Sequence, residues 1–382
     1  MTAKLTDLCN IQYGYAFDSA NFTDDEAYIP LVRIRDVKRG YSETFFNGSY
    51  PKEYVLHKGD LLIGMDGEFN IARWRSRDAL LNQRVCKITA CEGTSEEYLR
   101  FALSKALKEI ERRTAFVTVK HLSAKELNKL EIDAPPLEEQ GFISGCLSKI
   151  EKVIALREKE LSELDDLIKA RFVEMFGDPS ENPYRLPEVN IATVVSGKVS
   201  NGFFAKRDEY VDDGNVSVLG VAYVVNRMYS QVTDLPRTNA DQKSIQKFAV
   251  KYGDMLFCRS SLVAAGIGKA SIVPEEVPEN TLFECHVIRL PLDLEKCVPE
   301  YMQTLSTMDY FRNQIISQSK TATMTTIGQD GILKTDIILP PLKQQKEFYR
   351  FVKQVDKSKA VIQKSLNETQ LLFDSLMQEY FG

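Results

Sequence analysis

The stretch Pro135-Pro136-Leu137-Glu138-Glu139-Gln140 and the long helical run behind it occur twice, and this repetition constrains the fold more than any other feature. Pro340-Pro341-Leu342-Lys343-Gln344-Gln345 opens the second copy. The Pro-Pro starts (136 and 341) and the Phe-Gly finishes (177 and 382) keep one offset of 205 residues. A gapless match of about forty positions reads as a duplicated unit, one globular part followed by one long helix. Neither run contains Pro or Gly between Gly145, or its counterpart position, and the terminal Gly177 or Gly382, so nothing interrupts either helix.

Both runs carry an apolar seam in alternating steps of four and three. In the first it falls at Ile143, Leu147, Ile150, Ile154, Arg157, Leu161, Leu164, Ile168, Arg171 and Met175. In the second it falls at Phe348, Val352, Val355, Lys359, Ile362, Leu366, Thr369, Phe373, Leu376 and Tyr380. Each helix is expected to be roughly 60 Å long at ~1.5 Å per residue. So narrow a seam needs a partner helix, and the nearest candidate is the other copy. Connectivity favours an antiparallel pair, and hence a dumbbell with pseudo-two-fold internal symmetry and a globular head at each end.

The remaining segments, 1–134 and 179–339, read as α+β; the helical segments are 135–178 and 340–382. Tyr28 to Val37 alternates so that Leu31, Arg33 and Arg35 lie out of phase with Val32, Ile34 and Asp36, which predicts a strand with one basic face. Lys58-Gly59-Asp60 turns into a buried strand at Leu61-Leu62-Ile63, and Glu96 to Arg112 has helical spacing. The second half repeats this order: Gly253-Asp254-Met255-Leu256 answers Gly59-Asp60-Leu61-Leu62, and Glu300-Tyr301-Met302 answers Glu97-Tyr98-Leu99. The offsets drift here but lock through the helices, so the loops differ between halves, and loops are where recognition diverges. Gly177 to Pro183 is a breaker-rich linker.

At 382 residues the chain suits two domains. Its 43% hydrophobic and 27% charged composition is that of a soluble globular protein. No signal-peptide pattern or apolar run of membrane-spanning length is present, and a cytoplasmic location is expected. A net charge of −5 argues against a polycation that coats nucleic acid, but not against a reader with local basic patches. Seven cysteines without a C-x-x-C pair predict neither a zinc site nor a disulfide framework. Gly266-Ile267-Gly268-Lys269-Ala270 lacks the first glycine and the Ser/Thr of a phosphate loop. An adenine-methyltransferase tetrad is absent, and three histidines without H-E-x-x-H or G-x-S-x-G give no scaffold for metal hydrolysis or acyl transfer. No catalytic residue and no metal ligand is assigned.

Two divergent α+β segments, each closed by Pro-Pro-Leu-x-x-Gln and a near-repeated long helix ending in Phe-Gly, resemble the specificity subunit (HsdS) of type I restriction-modification enzymes. The likeness covers the whole chain and rests on residues 134–140 with 339–345, Met175-Phe176-Gly177 with Tyr380-Phe381-Gly382, and the two Gly-Asp turns. It implies a non-catalytic reader of double-stranded DNA with target recognition domains at 1–134 and 179–339. Each would read one half of a bipartite, asymmetric target, while the helices set the spacer and dock two modification (methyltransferase) subunits. Restriction (translocase/endonuclease) subunits are further expected partners. S-adenosylmethionine, ATP and Mg are expected on those partners and no cofactor on this chain. A coiled-coil scaffold with protein-binding end domains is the alternative.

In the first domain the candidate DNA contacts are Arg73, Trp74, Arg75 and Arg77, whose guanidinium groups can fork onto guanine or phosphate, and Asn82, Gln83 and Arg84, which add amides for adenine. Arg33, Arg35, Lys38 and Arg39 form a basic stretch, with Lys120 and His121 weaker. In the second domain they are Lys198, Asn201, Lys206, Arg207, Tyr223, Asn226, Arg227, Arg259, Ser260, Lys269, Lys320 and Thr323. For single residues a solvated surface role is at least as common. The sets carry more weight than their members.

Overall fold

Two helices of 40 residues, Leu137–Phe176 and Leu342–Phe381, follow the two Pro-Pro steps in the computed structural model, which describes residues 2–113 and 121–382. The chain divides into two units, Met1–Glu158 with Lys364–Gly382, and Lys159–Gln363. The division cuts through both helices. Each unit therefore holds the start of one helix and the end of the other, in contrast to the sequence-based boundaries, which give each helix a segment of its own.

In the first unit, strands Cys9–Tyr13, Val85–Ala90, Leu61–Gly64 and Asn70–Arg73 form an antiparallel sheet in that order. Beside it Ile29–Val32 pairs in parallel with Ala79–Leu81, and Thr2–Lys4 pairs with Glu131–Asp133 just ahead of the first Pro-Pro. The second unit repeats each feature. Ser200–Asn201, Val287–Pro291, Asp254–Cys258 and Ala270–Ile272 form the antiparallel sheet, Val216–Leu219 pairs in parallel with Thr281–Phe283, and Glu188–Asn190 pairs with Asp336–Ile338. A three-stranded ribbon of Ser260–Ser261, Thr325–Thr326 and Lys320–Thr321 lies in the second unit.

The repeated motifs are fasteners. Gln140, 2% exposed, donates Nε2 to Pro135 O (2.8 Å) and accepts at Oε1 from Ser95 N (2.8 Å). Gln345 does the same with Pro340 O and Val298 N, both at 2.8 Å. Each glutamine thus spans its own Pro-Pro step and the head of the helix that carries the Glu-Tyr pair, satisfying backbone groups that burial would leave unpaired. The Tyr98 hydroxyl donates to Asp133 O and the Tyr301 hydroxyl to Ile338 O (2.8 and 2.6 Å). Against these two rings pack Phe381 (5.3 Å between centroids) and Phe176 (5.1 Å), the aromatic residues of the Phe-Gly finishes. The Gly-Asp turns match as well: Gly59 and Gly253 have φ of +101° and +85°, a region glycine enters without strain, and the aspartates accept from His57 N and Lys251 N.

The core of the first unit lies between Leu61, Ile63 and Ile88 of the sheet and Leu99, Leu103 and Leu107, and it extends to Ile143, Leu147 and Met377 of the long helices. That of the second gathers Met255, Phe257, Ile288 and Tyr301 with Ile168, Phe172, Phe348 and Val352. From 152 to 167 the positions not exposed are Ile154, Arg157, Leu161 and Leu164, all on the seam. Ile150 is half-buried; on the other helix Val355 is buried and Ile362, Leu366, Phe373 and Leu376 are half-buried. The polar seam residues find partners. Arg157 donates to Ser365 O (2.7 Å) and to Thr369 Oγ1, and Lys359 pairs with Asp165 at 2.6 Å.

Tyr28 to Val37 does not form one strand. The strand stops at Val32 and Ile34–Arg39 is helical, because the buried Asp36 carboxylate accepts Arg33 N at 2.9 Å and Gly40, at φ +76°, closes the turn.

Candidate nucleic-acid interface

One loop junction recurs in both units with nearly the same backbone. Gly14 N donates to Val85 O (3.0 Å) where Gly202 N donates to Val287 O (3.2 Å), and Tyr15 N to Leu81 O (3.0 Å) where Phe203 N meets Phe283 O (2.7 Å). Met65 N to Arg84 O (2.9 Å) matches Arg259 N to His286 O (2.8 Å), and Leu122 N to Met65 O (2.7 Å) matches Ile327 N to Arg259 O (3.0 Å). Both glycines are demanded by close approach. A Cβ on Gly14 would sit 2.0 Å from Asn82 O, and one on Gly202 would sit 2.2 Å from Phe283 O.

On this common frame the side chains differ. In the first unit the junction presents exposed Tyr15, Gln83, Arg84 and His121 around a half-buried Asp66. Arg84, with a left-handed φ of +72°, donates Nη1 to both Asp66 oxygens (3.2 and 2.9 Å), and His121 Nδ1 contacts the same carboxylate. A long side chain held at positive φ is unusual backbone, and such positions cluster where function requires a fixed pose. In the second unit the junction presents Ser260, His286 and Thr326, with Ser260 Oγ 3.3 Å from His286 Nδ1. Arg259 Nη1 donates to Cys285 O at 3.2 Å, and the ribbon adds exposed Lys320, Thr321 and Thr323. Leu262 and Val263 are 82% and 63% exposed beside it. A junction that presents Gln83, Arg84 and the Asp66 carboxylate and one that presents Ser260, His286 and Thr326 offer different hydrogen-bond patterns to base edges.

The structure corrects the reading of residues 73–77 as a DNA-facing loop. Arg73 donates to Glu96 Oε1 (2.6 Å), Glu97 Oε2 (2.8 Å) and Gly59 O (2.9 Å), which anchors the helix Glu96–Arg113 to the sheet. Trp74 is 1% exposed in the core, its Nε1 donating to Arg77 O, and Arg77 in turn holds Glu26 O and Tyr28 O (2.6 and 2.9 Å). Arg75 is exposed, whereas Asn82 is buried and accepts from Gln83 N. Arg35, Lys38 and Arg39 lie on the short helix rather than on a strand face, with Asp36, Glu68 and Glu43 at 3.7, 3.1 and 3.5 Å; Arg33 is exposed at its head. Lys120 lies outside the described residues.

Among the second-unit candidates, Arg259, Ser260, Lys320 and Thr323 come together at the junction. Asn226, Arg227 and Lys269 gather elsewhere, around a cavity, and Tyr223 donates its hydroxyl to Asp234 O. Lys198, Lys206 and Arg207 are exposed, and Asn201 is paired in the sheet. Sequence reasoning passed over Tyr15, Asp66, His286 and Thr326; the drifting offset between halves, followed from Arg84 to His286, was the signal that leads to them. Burial pushes the Cys9 and Cys86 thiols up to about 12, as for small core residues. Among the described residues no group of three or more potential ligands is placed to hold a metal, and no helix is long and apolar enough to cross a membrane.

The family model described as "Type I restriction modification DNA specificity domain" matches residues 1–166 and 193–370. The specificity subunit of the type I restriction enzyme EcoBI from Escherichia coli is 26% identical, the alignment covering 98% of this chain and 83% of that protein. That of EcoKI from Escherichia coli K12 is 21% identical over 94% and 82%, respectively. Among solved structures, the S subunit of a type I restriction-modification system from M. genitalium aligns over 100% of this chain and 96% of its own, with a TM-score of 0.51 at 14% identity. A chain from a study of assembly and conformational transition of the type I system gives 0.50 at 17% identity over 100% and 97%. These two likenesses are of fold.

Proposed function

This chain belongs to the family of type I restriction-modification specificity subunits, non-catalytic proteins whose role is DNA target recognition by two domains, and we propose how it divides that task. Each unit reads one half of a bipartite, asymmetric duplex target through its loop junction, and the paired helices fix the spacer and dock two modification subunits. The observation that carries this reading is the repeated junction, one backbone frame with two different sets of side chains. Equal frames give equal approach to DNA, and unequal side chains give unequal half-sites. S-adenosylmethionine belongs to the modification subunits, and ATP and Mg to the restriction subunits, all working in the cytoplasm.

The test uses the chain reconstituted with modification subunits and maps methylated adenines on a random-sequence DNA pool. Gln83→Ala with Arg84→Ala should relax one half-site and leave the other intact. Ser260→Ala with His286→Ala should do the converse. Loss of both halves with either pair, or methylation indifferent to sequence in the parent complex, would overturn the assignment.

A further inference from the structure

A cavity of about 440 Å³ in the second unit is walled by Lys169, Arg227, Lys269, Arg312 and Lys359 against a single carboxylate, Asp165, among the described residues. That carboxylate is already taken by Lys359 at 2.6 Å. The inner cations have only neutral partners. Lys269 Nζ donates to Asn226 Oδ1 (2.6 Å), Arg227 donates to Gln231 Oε1 (2.8 Å) and to the Val225 and Ala222 carbonyls (both 3.3 Å), and Arg312 Nη2 donates to Ile267 O (2.6 Å). Arg312 Nη1 is buried and has no hydrogen-bond partner. Burial lowers the Arg312 pKa, with no carboxylate among the groups acting on it. The first unit treats its half-buried arginines differently: Arg73 and Arg100 are matched by Glu96, Glu97 and Glu151. Uncompensated cations beside an open cavity are an electrostatic cost that an anionic occupant removes.

We propose that this cavity is a binding site for a phosphate-type anion, held by Arg227, Lys269 and Arg312. Arginine forks and a lysine point charge are the usual partners of phosphate oxygens. Its lining includes Gln303, Thr304 and Ser306, only 5%, 2% and 3% exposed. The volume lies in the range of small-molecule sites, about 300–1,000 Å³. A phosphorylated small molecule and a phosphate of bound DNA present the same chemistry. The site stands independently of how the junctions read sequence.

Isothermal titration of the full chain with sodium pyrophosphate, at an ionic strength fixed by chloride, tests it. Saturable binding at one site per chain is expected, weakened about tenfold or more by Arg227→Gln with Lys269→Met. Lys105→Met with Lys108→Met, an equal charge loss on the first unit, should leave it unchanged. Lys269→Gln alone, at a half-exposed position, gives a milder variant whose fold circular dichroism can verify and whose binding should also weaken. Absence of saturable binding, or equal weakening by the first-unit pair, overturns the proposal. Added duplex DNA distinguishes the sources: displacement of pyrophosphate identifies a DNA phosphate as the occupant, and undiminished binding identifies a free phosphorylated molecule. Methylation mapping of the same variants separates this result from the specificity reading, since a failed anion site leaves both half-sites as they were.

Discussion

Replacing Gln140 with Leu keeps the volume and the helix propensity of the position but removes the amide that clasps the first Pro-Pro step. Two backbone groups lose their partners, Ser95 N–H and Pro135 C=O, each now bonded at 2.8 Å to a side chain 2% exposed. An unsatisfied buried group costs about 1–3 kcal/mol, and the leucine recovers part of this by burying apolar surface, so a loss of about 2–4 kcal/mol is expected for the first unit. The chain has one tryptophan, Trp74, in the core of that same unit, so urea unfolding followed by its fluorescence reports on the unit selectively. At a slope of about 2 kcal/mol per molar urea, the Trp74 transition should fall by roughly 1–2 M. Glu139→Gln, one residue away and exposed, is the control and should move it little. A Gln140→Leu midpoint within about 0.2 M of the parent would refute the clasp, and with it the explanation of why the motif ends in glutamine.

Arg73→Ala removes an anchor between sheet and helix and should cost about 1–2 kcal/mol, since its side chain is 36% exposed and solvent screens the ion pairs, while the methylated sequence stays the same. A changed half-site with unchanged stability would return Arg73 to the DNA. Glu300 is 1% exposed and accepts from the Tyr229 hydroxyl at 2.8 Å, while its Oε2 has no partner, and burial holds its carboxyl above the usual range. The folded state thus keeps this proton more tightly than the unfolded chain does. Its contribution is whole below the ordinary glutamate value of about 4.3 and is lost as pH rises through the raised folded value. Glu300→Gln cannot ionise, so its stability relative to the parent should grow from pH 4 to pH 7 in urea titrations followed by circular dichroism; a pH-independent difference would refute the assignment.

The repeat, the seam and the Gly-Asp turns were legible in the sequence because each rests on residue identity at fixed spacing: Ile154, Leu161 and Leu164 could be placed on one face without any tertiary knowledge. The helix Ile34–Arg39 was not, since its alternating apolar pattern favours a strand and what overrides it is one buried carboxylate, Asp36, capping backward. Arg73 looked available because its partner Glu96 lies 23 residues downstream, and only the fold brings them together. The loop junctions were hidden for a deeper reason. Their equivalence is written in bonds between backbone atoms, which are indifferent to whether Arg84 or His286 supplies the carbonyl, so divergence of side chains erased the pattern while the geometry stayed.

The sharing of helix halves also has a consequence in time. Lys105 donates to Gln378 at 2.6 Å across 273 residues of sequence, and Phe381 closes on Tyr98 beside it. At a synthesis rate of about 5–20 residues per second, the N-terminal unit waits roughly 15–55 s for the strip of helix that covers it. Through that interval the apolar surface around Tyr98 and Phe101 is open to other chains. Loss of the last helical turns would therefore damage the unit made first and spare the one made last, an inversion of the usual order in which nascent domains become safe.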